Sequence, residues 1–283
     1  MKPYRLGLYE KGMPETLSFP EKLAETRSAG FDYLELSIDE SDAKLARLDW
    51  KSDEINRLRS VITDTGVPIN SICLSGHRRF PLGDEDRQRR ERSLEMMEKC
   101  CELASALGVK IIQIAGYDVY YTPSNEKTRA YFAENLAHSV RLASSAGVIL
   151  AFETMETPFL NTVAKAMYWV QEINSPWLRV YPDIGNITNA AKSEGGSVRA
   201  DLESGSGSIV ALHLKEAKPG VFREMPYGSG QVDFTEACTI GRELGVGLYV
   251  GEFWHKGEEN WRQIIADNAL FLRGHLDRAM EVK

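Results

Sequence analysis

The sequence alternates eight times between a short apolar run and an amphipathic stretch, and no other feature restricts the possible folds as strongly. Five of the amphipathic stretches close with a glycine just before the next apolar run: Gly30, Gly66, Gly108, Gly147 and Gly245. Glycine at this place is typical of a helix C-terminus, where the chain adopts positive φ. The pattern therefore predicts an α/β fold with a parallel sheet closed into a single (β/α)8 TIM barrel. A doubly wound open sheet is the alternative.

The predicted elements follow one another without a linker or a low-complexity segment, so we expect one domain over residues 1–283. The predicted strands are Tyr4–Tyr9, Tyr33–Ile38, Val67–Leu74, Lys110–Ala115, Val148–Phe152, Leu178–Tyr181, Ile209–Leu214 and Gly247–Val250. The predicted helices are Phe19–Ala29, Ser52–Asp64, Asp84–Leu107, Ser124–Ala146, Asn161–Ile173, Ala190–Glu203, Phe234–Leu244 and Glu259–Met280. The sixth of these helices is broken by Gly195–Gly196.

Composition excludes several classes of partner. A formal net charge of −7 disfavours nucleic acid, because proteins that bind phosphodiester polymers usually present a basic surface. The four cysteines have neither zinc-site nor disulfide spacing, which indicates a reducing compartment. The N-terminus lacks the apolar core of a signal peptide, and no apolar run approaches membrane length. We therefore expect a cytoplasmic protein that binds neither membranes nor nucleic acids.

Three acids and one histidine stand at the ends of four consecutive predicted strands. Glu153, Asp183, His213 and Glu252 end the fifth to the eighth strand. In a barrel of this kind the carboxyl ends of the strands face the active site, so we expect these residues to surround a common point. Each could instead be an isolated polar cap, but four together would repel unless a cation or a proton separates them. The donor set predicts one divalent ion: zinc, manganese, cobalt or magnesium.

Other polar residues are candidates for contact with a substrate. His77 follows the third strand, and Glu156 lies three residues beyond the acid that ends the fifth. The loop after the seventh strand carries Lys218 and the glycines Gly228 and Gly230, and barrels often bind phosphate with the loops after strands seven and eight. The pattern favours phosphate recognition by this loop. The alternatives are a solvated loop for His77, a helix cap for Glu156 and flexible-loop glycines.

Several strings of the sequence are more specific than a barrel pattern. They are Gly7–Lys11, Leu45–Trp50, Cys73–Gly83, Ala115–Tyr121, Tyr181–Asn186, Lys218–Phe222 and Val232–Phe234. With these strings the chain resembles, over nearly its whole length, the sugar isomerase/epimerase superfamily built on the xylose isomerase-like barrel. Within that superfamily it is most similar to the L-ribulose-5-phosphate 3-epimerases, also called L-xylulose-5-phosphate 3-epimerases, of bacterial ascorbate and pentose catabolism.

The resemblance implies a function for each member of the predicted cluster. Glu153, Asp183, His213 and Glu252 would bind the metal, and Glu153 and Glu252 would exchange the proton on carbon 3 of a ketopentose 5-phosphate through an enediolate. Asn186, within one of the resembling strings, would contact the substrate. A homodimer is also implied. The partner would be a small sugar phosphate.

Three other functions compete with this interpretation. The first, an epimerase or isomerase of an unphosphorylated ketose, differs only in the phosphate contacts. The second, a metal-dependent endonuclease on the same barrel, would need a histidine-rich site, whereas this acidic chain has five histidines in all. The third, a non-catalytic sugar-binding module, does not require two potential bases, so the presence of both Glu153 and Glu252 argues against it.

Overall fold

The structure, a computed structural model that describes residues 3–281, contains eight parallel strands in one sheet. The strands are β1 (Arg5–Tyr9), β2 (Tyr33–Ile38), β3 (Ile69–Leu74), β4 (Ile111–Ala115), β5 (Ile149–Glu153), β6 (Leu178–Val180), β7 (Leu212–Leu214) and β8 (Leu248–Gly251). Their order is β6-β5-β4-β3-β2-β1-β8-β7. The first two and the last two residues of the predicted domain, 1–283, lie outside the described residues.

The sheet closes between β6 and the segment that leads into β7. Val180 donates its N–H to the Ser208 carbonyl at 3.0 Å and accepts the N–H of Val210 at 3.0 Å. A second parallel bridge joins Asp183 to His213 at the carboxyl end. These contacts satisfy backbone groups that the edge of an open sheet would leave unpaired. The predicted barrel is therefore confirmed, and the open-sheet alternative is wrong.

Helices surround the barrel. They are α1 (Phe19–Ser28), α2 (Asp42–Leu45), α3 (Ser52–Thr65), α4 (Arg87–Leu107), α5 (Glu126–Ala146), α6 (Val163–Ile173), α7 (Ile184–Glu194), α8 (Val198–Ser204), α9 (Phe234–Glu243) and α10 (Trp261–Glu281). The predicted C-terminal glycines are confirmed for α3, α4 and α5. These helices end at Gly66, Gly108 and Gly147, whose φ angles are 67°, 75° and 68°. A left-handed residue here lets the chain turn directly into the next strand.

The helical region after β6 differs from the prediction. We expected one interrupted helix over Ala190–Glu203, but α7 begins six residues earlier and α8 is separate. The Asp183 side chain accepts the N–H of Asn186 at 2.7 Å, which caps α7. An aspartate in this position satisfies an otherwise unpaired helix donor, so the helix starts directly after the strand. The predicted interruption of the helix at Gly195–Gly196 is confirmed, because α7 ends at Gly195 with φ of 74°.

The interior of the barrel is more polar than its outer face. Leu34, Leu36 and Ile38 of β2 face the surrounding helices and belong to the main apolar core. The alternate positions of the same strand point into the barrel, and they include Glu35, which is fully buried. A buried carboxylate must be compensated by hydrogen bonds or charges, so the barrel interior has a specific polar arrangement beneath the site. Among residues 3–281, the helices are too short or too polar to cross a lipid bilayer.

Candidate active site

The carboxyl ends of β5 to β8 bring the four predicted ligands together. Glu153 is the last residue of β5, Asp183 caps α7, His213 lies within β7, and Glu252 directly follows β8. One donor atom from each lies within 4.8 Å of all the others, and all four side chains are buried. We call these four residues the acidic cluster. Its position follows from the neighbouring, parallel order of the strands, which brings their ends to one edge of the barrel.

Distances within the acidic cluster are those of groups that point at one centre. His213 Nδ1 lies 3.1 Å from Glu252 Oε2 and 3.4 Å from Glu153 Oε1. Asp183 Oδ2 lies 3.0 Å from the ammonium of Lys215, which is also 3.6 Å from Glu252 Oε2. Three carboxylates and one imidazole form a donor set that suits a divalent ion. The residues present therefore fit the expected metal, and a bound cation would offset their mutual repulsion.

Electrostatic effects separate the protonation states of the cluster. Burial raises the pKa of Glu153, and the charge of Glu252 adds to that effect. Burial also raises the pKa of Asp183 well above its ordinary value. Burial alone would raise the pKa of Glu252, but the charges of Lys215 and His213 hold it well below its ordinary value. The two glutamates thus have pKa values displaced in opposite directions, as in a pair that exchanges a proton.

The imidazole and the ammonium are buried among these acids. Burial disfavours a charged imidazole, yet the neighbouring Glu35 and Glu252 raise the pKa of His213 well above its ordinary value. Burial likewise opposes the charge on Lys215, but Asp183 and Glu252 raise its pKa. Lys215 was not among the site residues that the sequence predicted. It lies two residues after His213, and side chains two residues apart in an extended chain point to the same side. This spacing could have identified Lys215 from the sequence.

A cavity of about 130 Å³ opens above the cluster, and its wall combines acids with cations. Glu153 and Glu252 line it together with four cationic side chains: Lys11, Arg78, Lys215 and Arg223. A second cavity of about 350 Å³ adjoins it and shares Met155 and Glu156 with it. The site thus has space for a small, negatively charged molecule next to the acids.

Glu156 lies at the boundary of the two cavities. Its Oε1 accepts hydrogen bonds from Arg223 Nη2 at 2.6 Å and from Tyr120 Oη at 3.0 Å. Asn186, the other predicted substrate contact in this region, lines the larger cavity and is buried. Its Nδ2 donates to the Thr154 carbonyl at 2.7 Å. Both residues are therefore held in place near the cluster, and their contact with a substrate stays a prediction.

His77 does not line either cavity. It belongs to a 3₁₀ turn, Ser75–Arg78, and its ring Nε2 lies 3.2 Å from the Ser93 carbonyl oxygen of α4. Burial lowers its pKa to about 4, so the ring is neutral at pH 7. The next residue, Arg78, lines the smaller cavity instead, with its guanidinium 4.6 Å from the centre of the Tyr120 ring. Within residues 3–281 Arg78 forms no ion pair.

The loop after β7 does not bring its predicted phosphate contacts to the cavities. Lys218 is exposed, and its backbone pairs with Val221. Gly228 donates its N–H to Glu216 Oε2 at 2.8 Å, and a Cβ on Gly230 would collide with the same carboxylate. The loop N–H groups thus surround an internal anion, Glu216. The presence of Glu216 in the same loop could have indicated from the sequence that these N–H groups would not be free to bind a phosphate.

Comparisons with known proteins agree with this geometry. The sequence matches the family described as xylose isomerase-like TIM barrel over residues 23–275. A curated relative from Salmonella paratyphi A, the L-ribulose-5-phosphate 3-epimerase UlaE, is 44% identical over 260 residues, which cover 92% of this chain and 90% of the relative. Identity at this level over this length shows membership of a common family.

Solved structures share the fold at much lower sequence identity. A structure of L-ribulose 3-epimerase superposes with a TM-score of 0.77 at 19% identity, covering 98% of this chain and 96% of that one. A xylose isomerase-like barrel from Mycobacterium smegmatis in complex with magnesium gives a TM-score of 0.71 at 17% identity, covering 98% of each chain. At these identities the likeness concerns the fold alone.

Proposed function

The chain belongs to the xylose isomerase-like TIM barrel family and, within it, to the L-ribulose-5-phosphate 3-epimerases; from this premise we propose that it interconverts L-xylulose 5-phosphate and L-ribulose 5-phosphate by inverting carbon 3. The observation that carries the proposal is the placement of two glutamates. Glu153 and Glu252 lie at the carboxyl ends of β5 and β8, the two outer strands of the acidic cluster, and line the same cavity. A sugar between them would present opposite faces of one carbon atom to two carboxylates.

Inversion requires that the hydrogen on carbon 3 leaves from one face and that another arrives on the opposite face. One glutamate takes the proton as a base, and the electron pair is delocalised into the neighbouring carbonyl as an enediolate. The other glutamate then donates its own proton to carbon 3 from the other side. The two residues exchange protonation states in each turnover, so their titrations are coupled.

The acidic cluster would hold the metal through Glu153, Asp183, His213 and Glu252. A divalent ion, whether zinc, manganese, cobalt or magnesium, would supply Lewis acidity that stabilises the negative charge developing on the sugar oxygens. The Lys215 ammonium lies between Asp183 and Glu252, 3.0 Å from Asp183 Oδ2 and 3.6 Å from Glu252 Oε2, and its charge favours the ionised form of both carboxylates. The four side chains are buried, and electrostatic interactions are stronger in a buried site than in water.

The phosphate of the substrate would bind to the cations of the smaller cavity, not to the loop after β7. Lys11 is already paired with Asp39 at 2.5 Å, and Arg223 with Glu156 at 2.6 Å. Arg78 lines the same cavity without an ion pair among the described residues. A guanidinium can bind a phosphate through two parallel hydrogen bonds, so Arg78 is the best candidate for this contact.

The test is 3-epimerisation of L-xylulose 5-phosphate in deuterated water. We expect formation of L-ribulose 5-phosphate with one deuterium on carbon 3, loss of activity after treatment with a chelator, and recovery when a divalent ion is added. Free L-xylulose and L-ribulose are the comparison substrates. Faster turnover of the free ketoses would favour the alternative of an unphosphorylated substrate, and activity that withstands the chelator would remove the metal from the proposal.

A matched pair of variants tests the phosphate contact. Arg78→Ala should raise the KM for L-xylulose 5-phosphate roughly 10-fold to 100-fold, the range for loss of a hydrogen bond between charged groups. Lys218→Ala removes the exposed lysine of the loop after β7 and should leave KM unchanged. The opposite result, with KM sensitive to Lys218 alone, would restore the loop as the phosphate site.

Two finer points belong to the same proposal. The pathway implied by the sequence resemblance is bacterial catabolism of ascorbate and pentoses. The assembly implied by it is a homodimer. Sedimentation equilibrium at micromolar concentration tests the latter, and a mass of one chain would contradict it.

A further inference from the structure

Beneath the acidic cluster, Glu35 contacts the ring nitrogen of His213 that faces away from the other cluster members. Its Oε1 lies 2.6 Å from His213 Nε2. The other ring nitrogen, Nδ1, faces Glu252 at 3.1 Å and Glu153 at 3.4 Å. Gln113 Nε2 lies 3.1 Å from Nδ1 and 3.3 Å from Nε2, so it is directed at neither alone. The ring therefore presents one nitrogen to the cluster and the other to Glu35.

A neutral imidazole has one protonated and one unprotonated nitrogen, and only the latter can bind a cation. For Nδ1 of His213 to act as a ligand, the ring proton must be on Nε2. That N–H is buried in the barrel and needs an acceptor, which Glu35 Oε1 provides at 2.6 Å. A carboxylate in this position orients the ring and makes the ligand nitrogen more basic.

Glu35 is itself fixed from the opposite side. Its Oε2 accepts hydrogen bonds from Ser71 Oγ at 2.6 Å and from Tyr181 Oη at 3.0 Å. The Tyr181 ring also packs edge-on against the His213 ring, with centroids 4.8 Å apart. Residues of β2 and β3, with Tyr181 directly after β6, thus hold the carboxylate and the imidazole in one relative orientation.

We propose that Glu35 is a positioning residue that keeps the proton of His213 on Nε2 and thereby directs Nδ1 at the divalent ion. This inference rests on the proposed function, because it assumes that the acidic cluster holds a metal. Glu35 is fully buried and lines neither of the two cavities. It acts only through His213.

The first experiment measures the affinity of the metal-stripped protein for Zn²⁺ and Mn²⁺ by competition with a chromophoric chelator. Glu35→Gln should bind both ions 10-fold to 100-fold more weakly, the range typical for loss of such a partner. Ser71→Ala removes one donor to the other oxygen of Glu35 and should weaken binding by about 2-fold to 10-fold. Wild-type affinity in Glu35→Gln would overturn the proposal.

Tyr33→Phe is the matched control for a general effect of packing. Tyr33 is buried in the same barrel interior, and its hydroxyl donates to the Tyr249 carbonyl at 2.9 Å. This variant should melt at a lower temperature without a change in metal affinity. If metal affinity falls equally in Tyr33→Phe and Glu35→Gln, the effect is structural and the proposal fails.

The second experiment needs no variant that might fail to fold. In the wild-type protein with Zn²⁺ and ¹⁵N-labelled histidine, long-range ¹H–¹⁵N correlation should show Nε2 of His213 protonated, with a strongly deshielded proton, and Nδ1 without one. Protonation at Nδ1 would refute the proposed orientation. The first experiment measures metal affinity and the second the protonation of the His213 ring, and neither measures turnover. Wild-type protein that binds metal but fails to epimerise would therefore contradict only the proposed function.

Discussion

Two clusters of buried charge lie at the carboxyl end of the barrel, and they differ in which sign is in excess. In the first, which we call the basic cluster, Glu10 directly follows β1 and meets three cations. Its carboxylate lies 2.6 Å from Lys22 Nζ, 2.8 Å from Lys44 Nζ and 2.6 Å from Arg47 Nη1. It also accepts the backbone N–H of Ser37 at 2.9 Å. The acidic cluster has the reverse composition.

The difference is reflected in the pKa values of the acids. Burial alone would raise the pKa of Glu10, but the hydrogen bond and charge of Arg47, with the charges of Lys44 and Lys22, hold it far below its ordinary value. In the acidic cluster, burial raises the pKa of Asp183 well above its ordinary value, because Lys215 offsets only part of that effect. A buried acid with excess cations is fixed in one charge state, whereas an excess of acids leaves room for a cation and for proton exchange. Burial of a carboxylate at a strand end is thus not enough to indicate a catalytic site.

The largest effect should come from neutralising an acid of the acidic cluster. Glu153→Gln or Glu252→Gln should reduce turnover on the order of 10³-fold, because proton exchange at carbon 3 loses a base. Circular dichroism should show a folded barrel in both variants. Glu10→Gln is the matched control from the basic cluster and should keep the wild-type kcat. Near-normal turnover in either Glu153→Gln or Glu252→Gln would exclude the two-base scheme.

Neutralising the acid of the basic cluster should affect stability instead. Glu10→Gln leaves three buried cations without their common carboxylate, which should lower the free energy of unfolding by about 3–5 kcal/mol. Urea unfolding of the two proteins at pH 7 measures this difference. If Glu10→Gln is as stable as the wild type, the basic cluster does not contribute to folding and the contrast between the clusters disappears.

The smallest of the three effects is the pH dependence of the stabilisation that Glu10 contributes to the folded protein. The pKa of Glu10 is lower in the folded protein than its ordinary value of 4.5, so the unfolded chain takes up the proton first. Its stabilisation is therefore complete above about pH 4.5 and decreases as pH falls, at most by about 1.4 kcal/mol per pH unit. Urea unfolding at pH 6 and pH 4 should show the stability difference between wild type and Glu10→Gln shrinking in acid. A difference that grows in acid would mean that the folded state does not lower this pKa.

Short-range patterns were sufficient to predict most of the fold. Alternation of strands with glycine-terminated helices predicted the barrel, and the order of its strands predicted that four strand-end residues would meet. Departures occurred where a side chain changed the course of the backbone locally. The cap that Asp183 provides to α7 moved the start of that helix by six residues.

Predictions for individual contacts depended on the directions in which side chains point, and a local sequence pattern does not determine these directions. His77 and Arg78 are neighbours in one 3₁₀ turn, yet only Arg78 lines the cavity. Their order in the sequence does not say which side chain points inward. The glycine-rich loop that contains Gly228 likewise had the composition of a phosphate-binding loop. In the structure, however, the N–H of Gly228 donates to the Glu216 carboxylate of the same loop.

The sequence alone determined the barrel and the residues of the acidic cluster, because strand order and strand ends are properties of consecutive segments. Only the tertiary structure decided how the buried charges are shared. Glu35 sits in the middle of a strand and reaches His213, 178 residues away, across the closed barrel. Glu10 likewise finds its cations on different elements around the end of β1. In both cases the energy of a buried charge depends on which groups surround it in space, and those groups are brought together by the packing of different elements.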